Sequence, residues 1–260
     1  MSVERAARIA ARLANDWWAR TPYQTLTGDD APADMTEAYA IQAALQPLLA
    51  ERRGPIAGRK IALSSKAMQQ MVGIDQPVAG AFFRDDIHQS PAQVEVSGFR
   101  HMGLECEMAF QMARDVAPGT AHSAETVQDL IDEIRPAFEL IEDKDADYAA
   151  IDALTLIADN AWCGGVVLGT PLEDWRGGDL NTLVAVLHQE GEPPEATEAG
   201  ASDPLGSLAW VLNHFGGRGE RVQAGEWVIS GSVLRTRFPV AGDLFRFEIG
   251  GQAVVEMSVR

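Results

Sequence analysis

Residues 103–112 read GLECEMAFQM, a run in which apolar residues surround two glutamates that lie two positions apart. The composition of this run is typical of a β-strand, and side chains two positions apart in a strand point to the same face. Glu105 and Glu107 are therefore expected to be close neighbours. Two adjacent anions in apolar surroundings repel each other and resist desolvation, at a cost on the order of several kcal/mol. A divalent cation would offset both effects, whereas a solvent-exposed strand face would need no ion.

A third glutamate lies in the apolar run AFELI, residues 137–141, which predicts another buried strand. A carboxylate in such a strand again needs a compensating charge, and we predict that Glu139 joins the first two glutamates as a metal ligand. Three carboxylates without histidine or thiolate form an all-oxygen donor set. Such a set suits Mg²⁺ or Mn²⁺ better than zinc, with calcium less expected.

The composition of the chain narrows its function. Its 260 residues are 46% hydrophobic, enough for one substantial core, and the net charge of −17 disfavours binding to nucleic acid or to an anionic membrane surface. The sequence has neither a long apolar span nor a signal peptide, which predicts a cytoplasmic protein. Cys106 and Cys163 form no metal-binding motif and are expected to be reduced and structural.

The first 56 residues are predicted to be mainly helical. Apolar residues recur every three or four positions over residues 3–18, which is typical of an amphipathic helix. A second helix is predicted over residues 36–51, where Thr36 can cap the start and Pro47 should kink or interrupt the chain.

The rest of the chain is predicted to mix strands and shorter helices. Gly250-Gly251 supplies the positive φ angles of a tight hairpin turn near the C-terminus, and residues 190–203 are expected to form a long solvated loop. Ser64 is expected to cap a brief helix. The predicted helices cover residues 64–71, 123–134, 148–157 and 204–215. The predicted strands cover residues 58–63, 103–112, 137–141, 165–168, 183–188, 244–249 and 253–259.

A specific resemblance adds to these predictions. Residues 58–69, GRKIALSSKAMQ, closely resemble the G-x-K-x-G-L-T-S-K-A-x-Q segment of the 2-keto-4-pentenoate hydratase and 4-oxalocrotonate decarboxylase family, within the fumarylacetoacetate hydrolase superfamily. Further segments match in the order in which the family has them, so chance similarity of one motif does not explain the resemblance. They are residues 38–42, 105–110, 135–139, 159–164, 204–210 and 230–232.

The resemblance implies a fold and a metal site. The implied fold is α+β: a mixed β-roll or β-sandwich of the fumarylacetoacetate hydrolase C-terminal type with flanking helices. A helical N-terminal portion, residues 1–56, would pack on a catalytic β-roll, residues 57–260. Carried over by position, the three acidic ligands of the divalent metal are Glu105, Glu107 and Glu139.

The same resemblance indicates residues for catalysis and substrate binding. Lys60 matches the active-site lysine, which suits a site that holds a carboxylate and moves protons on an enol. Ser230, Gly231 and Ser232 resemble the family's T-G-S turn, and Asp159 and Asn160 match its D-N-A segment, so all five are predicted to bind substrate; plain turns are the alternative. Lys66 is left out of the catalytic set, and all five histidines lie outside the motifs.

The resemblance therefore implies a Mg²⁺- or Mn²⁺-dependent hydratase. It would add water to a small 2-hydroxy-2,4-dienoic acid or its 2-keto form, in aromatic meta-cleavage catabolism, and give a 4-hydroxy-2-keto acid. A 4-oxalocrotonate-type decarboxylase is the main alternative, and a non-catalytic relative with the same fold is another. A homo-oligomer is expected, with a partner pathway enzyme as a further option. Ala62, Ser64 and Trp162 depart from the family pattern, which leaves the substrate's identity open.

Overall fold

The computed structural model describes residues 1–260 and contains two curved β-sheets. The strands are β1 (Ile56–Ala62), β2 (Val78–Phe83), β3 (Ile87–Gln89), β4 (Ala92–Val94), β5 (Met102–Met112), β6 (Ile131–Glu142), β7 (Cys163–Leu168), β8 (Val184–Gln189), β9 (Glu195–Glu198), β10 (Trp227–Ile229), β11 (Leu244–Ile249) and β12 (Ala253–Val259). The α-helices are α1 (Val3–Ala19), α2 (Met35–Arg53), α3 (Lys66–Met71), α4 (Ala153–Ala158) and α5 (Pro204–Gly217).

The longest strands, β5 and β6, lie near the middle of the larger sheet. Seven strands in the order β2-β1-β10-β5-β6-β7-β3 form this sheet, and five in the order β4-β12-β11-β8-β9 form the smaller one. β5 and β6 are antiparallel along nearly their whole length, and their register places Glu105 opposite Glu139. The pairing brings together the two glutamate-containing segments, which are far apart in the sequence.

The main hydrophobic core lies between the two sheets. On β6, Phe138 packs against Phe245 and Phe247 of β11, with ring centroids 6.4 and 6.2 Å apart, and all three side chains are buried. Burial of each such aromatic side chain contributes about 1.5–3 kcal/mol. The core thereby holds β6 rigidly, and with it Glu139.

The N-terminal helices form a second, smaller core. Ile9 and Leu13 of α1 pack with Ile41 and Leu45 of α2, as their helical spacing predicts. Helix α2 begins one residue after Asp34, whose carboxylate accepts from the backbone of Glu37, and it continues through Pro47 instead of being interrupted there. None of the helices is both long enough and apolar enough to cross a membrane.

The predicted helix over residues 123–134 is wrong. The structure has a short 3-10 helix at Val127–Leu130, and the chain then enters β6 at Ile131. Apolar residues at spacings of three and four fit a helix, but pairing with β5 satisfies the backbone groups of β6 and buries the same residues. Pairing with β5, which the spacing of apolar residues does not show, makes this segment a strand instead of a helix.

Three other local predictions also need correction. The helix predicted over residues 148–157 is a 3-10 turn followed by α4, because Asp152 caps the backbone of Thr155 and starts the helix there. The loop predicted over residues 190–203 contains β9, which pairs with β8. Ser65, and not Ser64, caps α3.

Candidate active site

The three glutamates predicted as metal ligands converge in the structure. Glu105 and Glu139 lie opposite each other on β5 and β6, and Glu107 follows on the same face of β5. One carboxylate oxygen from each lies within 4.8 Å of those of the other two. Glu107 and Glu139 are completely buried. The arrangement follows from strand alternation within β5 and from the register with β6.

The hydrogen bonds of the buried carboxylates are incomplete. Glu107 Oε2 accepts from the backbone N–H of Gly231 at 2.7 Å, and Glu139 Oε1 accepts from Lys60 Nζ at 2.5 Å. Glu107 Oε1 and Glu139 Oε2 are buried without any partner. Buried anionic oxygens in a native structure are normally bonded or coordinated, so these two call for a cation. The donor set is all oxygen and fits a hard divalent metal such as Mg²⁺ or Mn²⁺.

The third carboxylate is held from the other side. Glu105 Oε1 accepts from the hydroxyl of Thr236 at 2.6 Å. Thr236 lies on the segment of residues 231–237 that runs beside β5, where Leu104 and Arg237 form an isolated antiparallel bridge. This segment has no strand periodicity, so sequence reasoning missed Thr236.

The electrostatics of two of the three carboxylates, those of Glu105 and Glu107, agree with a cation site. Burial, and then the charges of Glu139 and Glu105, raise the pKa of Glu107 well above its ordinary value. Burial, and then Glu139, also raise the pKa of Glu105. Both shifts measure how strongly the metal-free site opposes full ionisation. A bound divalent cation would reverse that preference.

Lys60 lies in the same site, on β1, and is almost completely buried. Its ammonium donates to Glu139 Oε1 at 2.5 Å and to the backbone carbonyl of Ala161 at 3.1 Å. Burial lowers the pKa of Lys60, but Glu139 and the other nearby acidic groups more than reverse this effect, so the net shift is upward. In the metal-free site the lysine is therefore a cation, with one N–H still free to donate.

A cavity of about 740 Å³ opens beside Lys60 and Glu105, whereas Glu107 and Glu139 are fully buried and do not line it. Lys60, Glu105 and Ser232 belong to its polar part. Its apolar part includes side chains that the sequence analysis did not single out for substrate binding: Ile141, Tyr148, Leu156, Trp162 and Phe238. The site thus combines a charged end with a large apolar wall, the usual layout of a small-molecule pocket.

The predicted turn at residues 230–232 lies beside the glutamates, but its groups are mostly occupied. The N–H of Gly231 is bonded to Glu107, and the hydroxyl of Ser232 accepts from the backbone N–H of Cys106 at 3.0 Å. Gly231 has φ +88°, and a Cβ there would lie 2.8 Å from Ser64 Oγ, so glycine is required. Gly231 and Ser232 line the cavity, whereas Ser230 is fully buried and does not.

Asp159 and Asn160, predicted to bind substrate, are not among the residues that line the cavity. Asp159 accepts from Lys144 Nζ at 2.6 Å and from Trp17 Nε1 at 2.7 Å. The amide of Asn160 bonds the backbone of Ala81 on β2 in both directions. Both side chains are thus hydrogen-bonded to residues distant in sequence. These bonds hold the chain just before Trp162, which lines the cavity.

Lys66, left out of the predicted catalytic set, also lies outside the cavity. Its ammonium donates to Gln69 Oε1 and to the carbonyl of Asp75, each at 3.0 Å. The bonds turn the side chain along α3 towards the loop that follows it.

Comparison with known proteins adds an independent line of observation. No family model matches the sequence. The 2-keto-4-pentenoate hydratase of Paraburkholderia xenovorans (strain LB400) is 31% identical over 254 residues, which cover 96% of this chain and 93% of that protein. The similarity extends over nearly the whole of both proteins.

Solved structures show the same fold. The 4-oxalocrotonate decarboxylase from Pseudomonas putida G7, complexed with magnesium and adipate, matches with a TM-score of 0.91 and 23% identity, over 100% of this chain and 99% of that chain. A fumarylacetoacetate hydrolase family protein from Yersinia pestis CO92 matches with a TM-score of 0.58 and 13% identity, over 78% of this chain and 92% of that chain. The predicted fold class is confirmed.

Proposed function

Because this chain belongs to the 2-keto-4-pentenoate hydratase and 4-oxalocrotonate decarboxylase family, we propose that it is a metal-dependent hydratase acting on a 2-hydroxy-2,4-dienoate. The product is a 4-hydroxy-2-keto acid. The observation that carries the proposal is the convergence of three glutamates with two unpartnered buried oxygens beside Lys60. Sequence identity is higher to a 2-keto-4-pentenoate hydratase, 31% over 254 residues, than to a 4-oxalocrotonate decarboxylase, 27% over 245 residues, and this supports hydration over decarboxylation.

We propose Glu105, Glu107 and Glu139 as the residues that hold the divalent cation. Their all-oxygen donors favour Mg²⁺ or Mn²⁺. The chemistry that such a cation supplies when bound is Lewis-acid stabilisation of the negative charge that develops on the C2 oxygen of a 2-keto acid. The hydrogen bonds from Thr236 and from the backbone of Gly231 orient two of the carboxylates before any ligand arrives.

Lys60 has two tasks in this proposal. Its bond to Glu139 holds that carboxylate in place, and its remaining N–H can donate to an oxygen of the substrate carboxylate or enolate. In the metal-free site the pKa of Lys60 is raised, so the lysine holds its proton there. In this proposal it acts as a cation and hydrogen-bond donor towards the substrate.

The proposed reaction is an isomerisation followed by the addition of water. A proton moves from the 2-hydroxyl of the dienol to C5, which leaves a 2-keto acid with a double bond between C3 and C4. Water then adds its oxygen to C4 and a proton to C3, so that the net change is the gain of one water molecule. The apolar wall around Leu156 and Trp162 can contact the carbon chain and limit the entry of bulk water.

Parallel assays on two substrates test the proposal. With Mn²⁺ present, 2-hydroxypenta-2,4-dienoate should lose its ultraviolet absorbance and give 4-hydroxy-2-oxopentanoate, identified by NMR. Chelation should stop the reaction, and added Mn²⁺ should restore it. Carbon dioxide release from 4-oxalocrotonate without turnover of the dienoate would instead establish a decarboxylase. Metal binding without turnover of either compound, or of a longer 2-hydroxy-2,4-dienoate, would establish a non-catalytic relative.

The choice between Mg²⁺ and Mn²⁺, the homo-oligomer, the partner enzyme and the cytoplasmic location remain predictions. So does the division into a helical portion and a catalytic β-roll. Activity measured with each metal ion, together with light scattering of the purified protein, would address the first two.

A further inference from the structure

The charges around the cavity leave one cation uncommitted. Lys60 is paired with Glu139, and Arg237 forms an ion pair with Glu195, whose side chain also lines the cavity. Arg235 lines the same cavity and is exposed, and its side chain forms neither an ion pair nor a hydrogen bond within the chain. The donors of its guanidinium are therefore free to bind a ligand at the cavity.

The backbone around Arg235 is fixed on both sides. The N–H of Val233 donates to the carbonyl of Cys106 at 2.9 Å, and the N–H of Arg237 donates to the carbonyl of Leu104 at 2.9 Å. Between these bonds, the hydroxyl of Thr236 is bonded to Glu105. The segment that carries Arg235 is therefore attached to β5, so the side chain starts from a defined position at the cavity.

We propose that Arg235 binds a second carboxylate of the substrate, beyond the 2-keto acid end. The inference rests on the proposed function, which assigns the 2-keto acid to the glutamates and Lys60. A guanidinium offers two parallel N–H groups that match the two oxygens of a carboxylate. The pairing of Arg237 with Glu195 neutralises the other acidic group at this part of the cavity.

The size and lining of the cavity agree with a longer diacid. The cavity, of about 740 Å³, is open to solvent and has room for an acid longer than five carbons. Ile141 and Phe238 supply an apolar surface that suits the methylene or vinyl carbons between two carboxylates. The proposed substrate is therefore a 2-hydroxy-2,4-dienoate that ends in a carboxylate.

Two six-carbon probes isolate the contribution of Arg235. 2-Oxoadipate and 2-oxohexanoate both carry the 2-keto acid, and only the first has a distal carboxylate. Calorimetry with Mn²⁺ present should show the wild type binding 2-oxoadipate about tenfold or more tightly, as expected for a charge-assisted hydrogen bond. Arg235→Gln should remove that preference and leave the affinity for 2-oxohexanoate within about twofold, while Arg235→Lys keeps part of it.

A matched control separates this effect from a general change of charge. Arg114 is exposed, lies outside the cavity and has no ion pair, so Arg114→Gln should keep the wild-type preference. An equal loss of affinity for both probes in Arg235→Gln would overturn the proposal, because the arginine would then act on the shared 2-keto acid or on the fold. Unchanged binding of both probes would overturn it as well.

Activity provides a second readout. Arg235→Gln should raise the KM for 2-hydroxyhepta-2,4-dienedioate about tenfold, with kcat nearly unchanged, and should leave 2-hydroxypenta-2,4-dienoate unaffected. If the wild type turns over neither dienoate yet still prefers 2-oxoadipate, the hydratase proposal fails while the role of Arg235 stands. If the wild type hydrates a dienoate but binds the two probes equally, the role of Arg235 fails while the hydratase proposal stands.

Discussion

The molecule contains two buried pairs of a lysine with a carboxylate, and they differ in one respect. Lys60 Nζ lies 2.5 Å from Glu139, and Lys144 Nζ lies 2.6 Å from Asp159; all four side chains are at most 3% exposed. In the Lys144 pair, the second oxygen of Asp159 accepts from Trp17 Nε1. In the Lys60 pair, the second oxygen of Glu139 has no partner.

The difference separates a structural network from a site prepared for a ligand. Lys144 also lies over the indole ring of Trp17, 4.5 Å from its centroid, so this network fastens helix α1 to the rest of the protein. Its polar groups satisfy one another. Around Glu139, two further glutamates crowd into the same space, and the buried oxygens stay unsatisfied. Incomplete satisfaction of a buried charge is therefore the structural mark of the candidate site.

The largest expected effect comes from neutralising the acid of each pair. Glu139→Gln should lower kcat/KM on the dienoate about a thousandfold, because it removes an anionic ligand oxygen and the partner of Lys60. The matched change Asp159→Asn should leave kcat and Mn²⁺ affinity of the folded protein close to wild type. Steady-state kinetics and Mn²⁺ titration would measure both. Comparable catalytic loss in the two variants would show that the pairs do not differ in kind.

The sequence predicts contacts between side chains that are close along the chain better than contacts between distant ones. Alternation within residues 103–112 is local, and it correctly places Glu105 and Glu107 together. The position of Glu139 opposite Glu105 depends on the register between β5 and β6, which no local pattern contains; the apolar setting of Glu139 and the family resemblance predicted its role instead.

The same limit applies to other residues. Asp159 belongs to a D-N-A motif that suggests substrate binding, but its hydrogen bonds with Trp17 and Lys144, which are distant in sequence, cannot be predicted from that motif. The apolar residues of segment 123–134 have helical spacing, yet its last residues pair with β5 and form the start of β6. Arg235 and Thr236 belong to an irregular segment, so only their placement beside the cavity makes them candidates.

Removing the two lysines should produce effects of different kinds. Lys144→Ala leaves the carboxylate of Asp159 buried without its cation and should lower the free energy of unfolding by about 3 kcal/mol, whether or not Mn²⁺ is present. Lys60→Ala, assayed with saturating Mn²⁺, should stay folded but lose roughly 10²-fold in turnover. Denaturant unfolding and initial rates would distinguish the two. A Lys144→Ala protein of wild-type stability would argue against the structural role of its network.

Per pH unit, the smallest expected effect is the pH dependence of metal binding at the glutamate site. The pKa values of Glu105 and Glu107 are raised in the folded, metal-free protein, chiefly by burial, above the ordinary value of 4.5. A raised carboxyl pKa favours the folded state at low pH, and that contribution is lost as the pH rises through the raised value. The metal-free protein should therefore lose stability as the pH increases above 4.5.

A bound cation must displace these protons, so its stabilising effect should grow with pH. Each displaced proton changes the metal-binding free energy by about 1.4 kcal/mol per pH unit while the carboxyl remains protonated. The difference in Tm with and without Mn²⁺, followed from about pH 5 to about pH 8, measures this change. Glu107→Gln should flatten the dependence and Asp159→Asn should preserve it, because Asp159 already has a fixed ammonium and takes no part in metal binding. If both variants flattened it equally, the proton release would not belong to the glutamate site, and the contrast between the two buried pairs would lose its electrostatic basis.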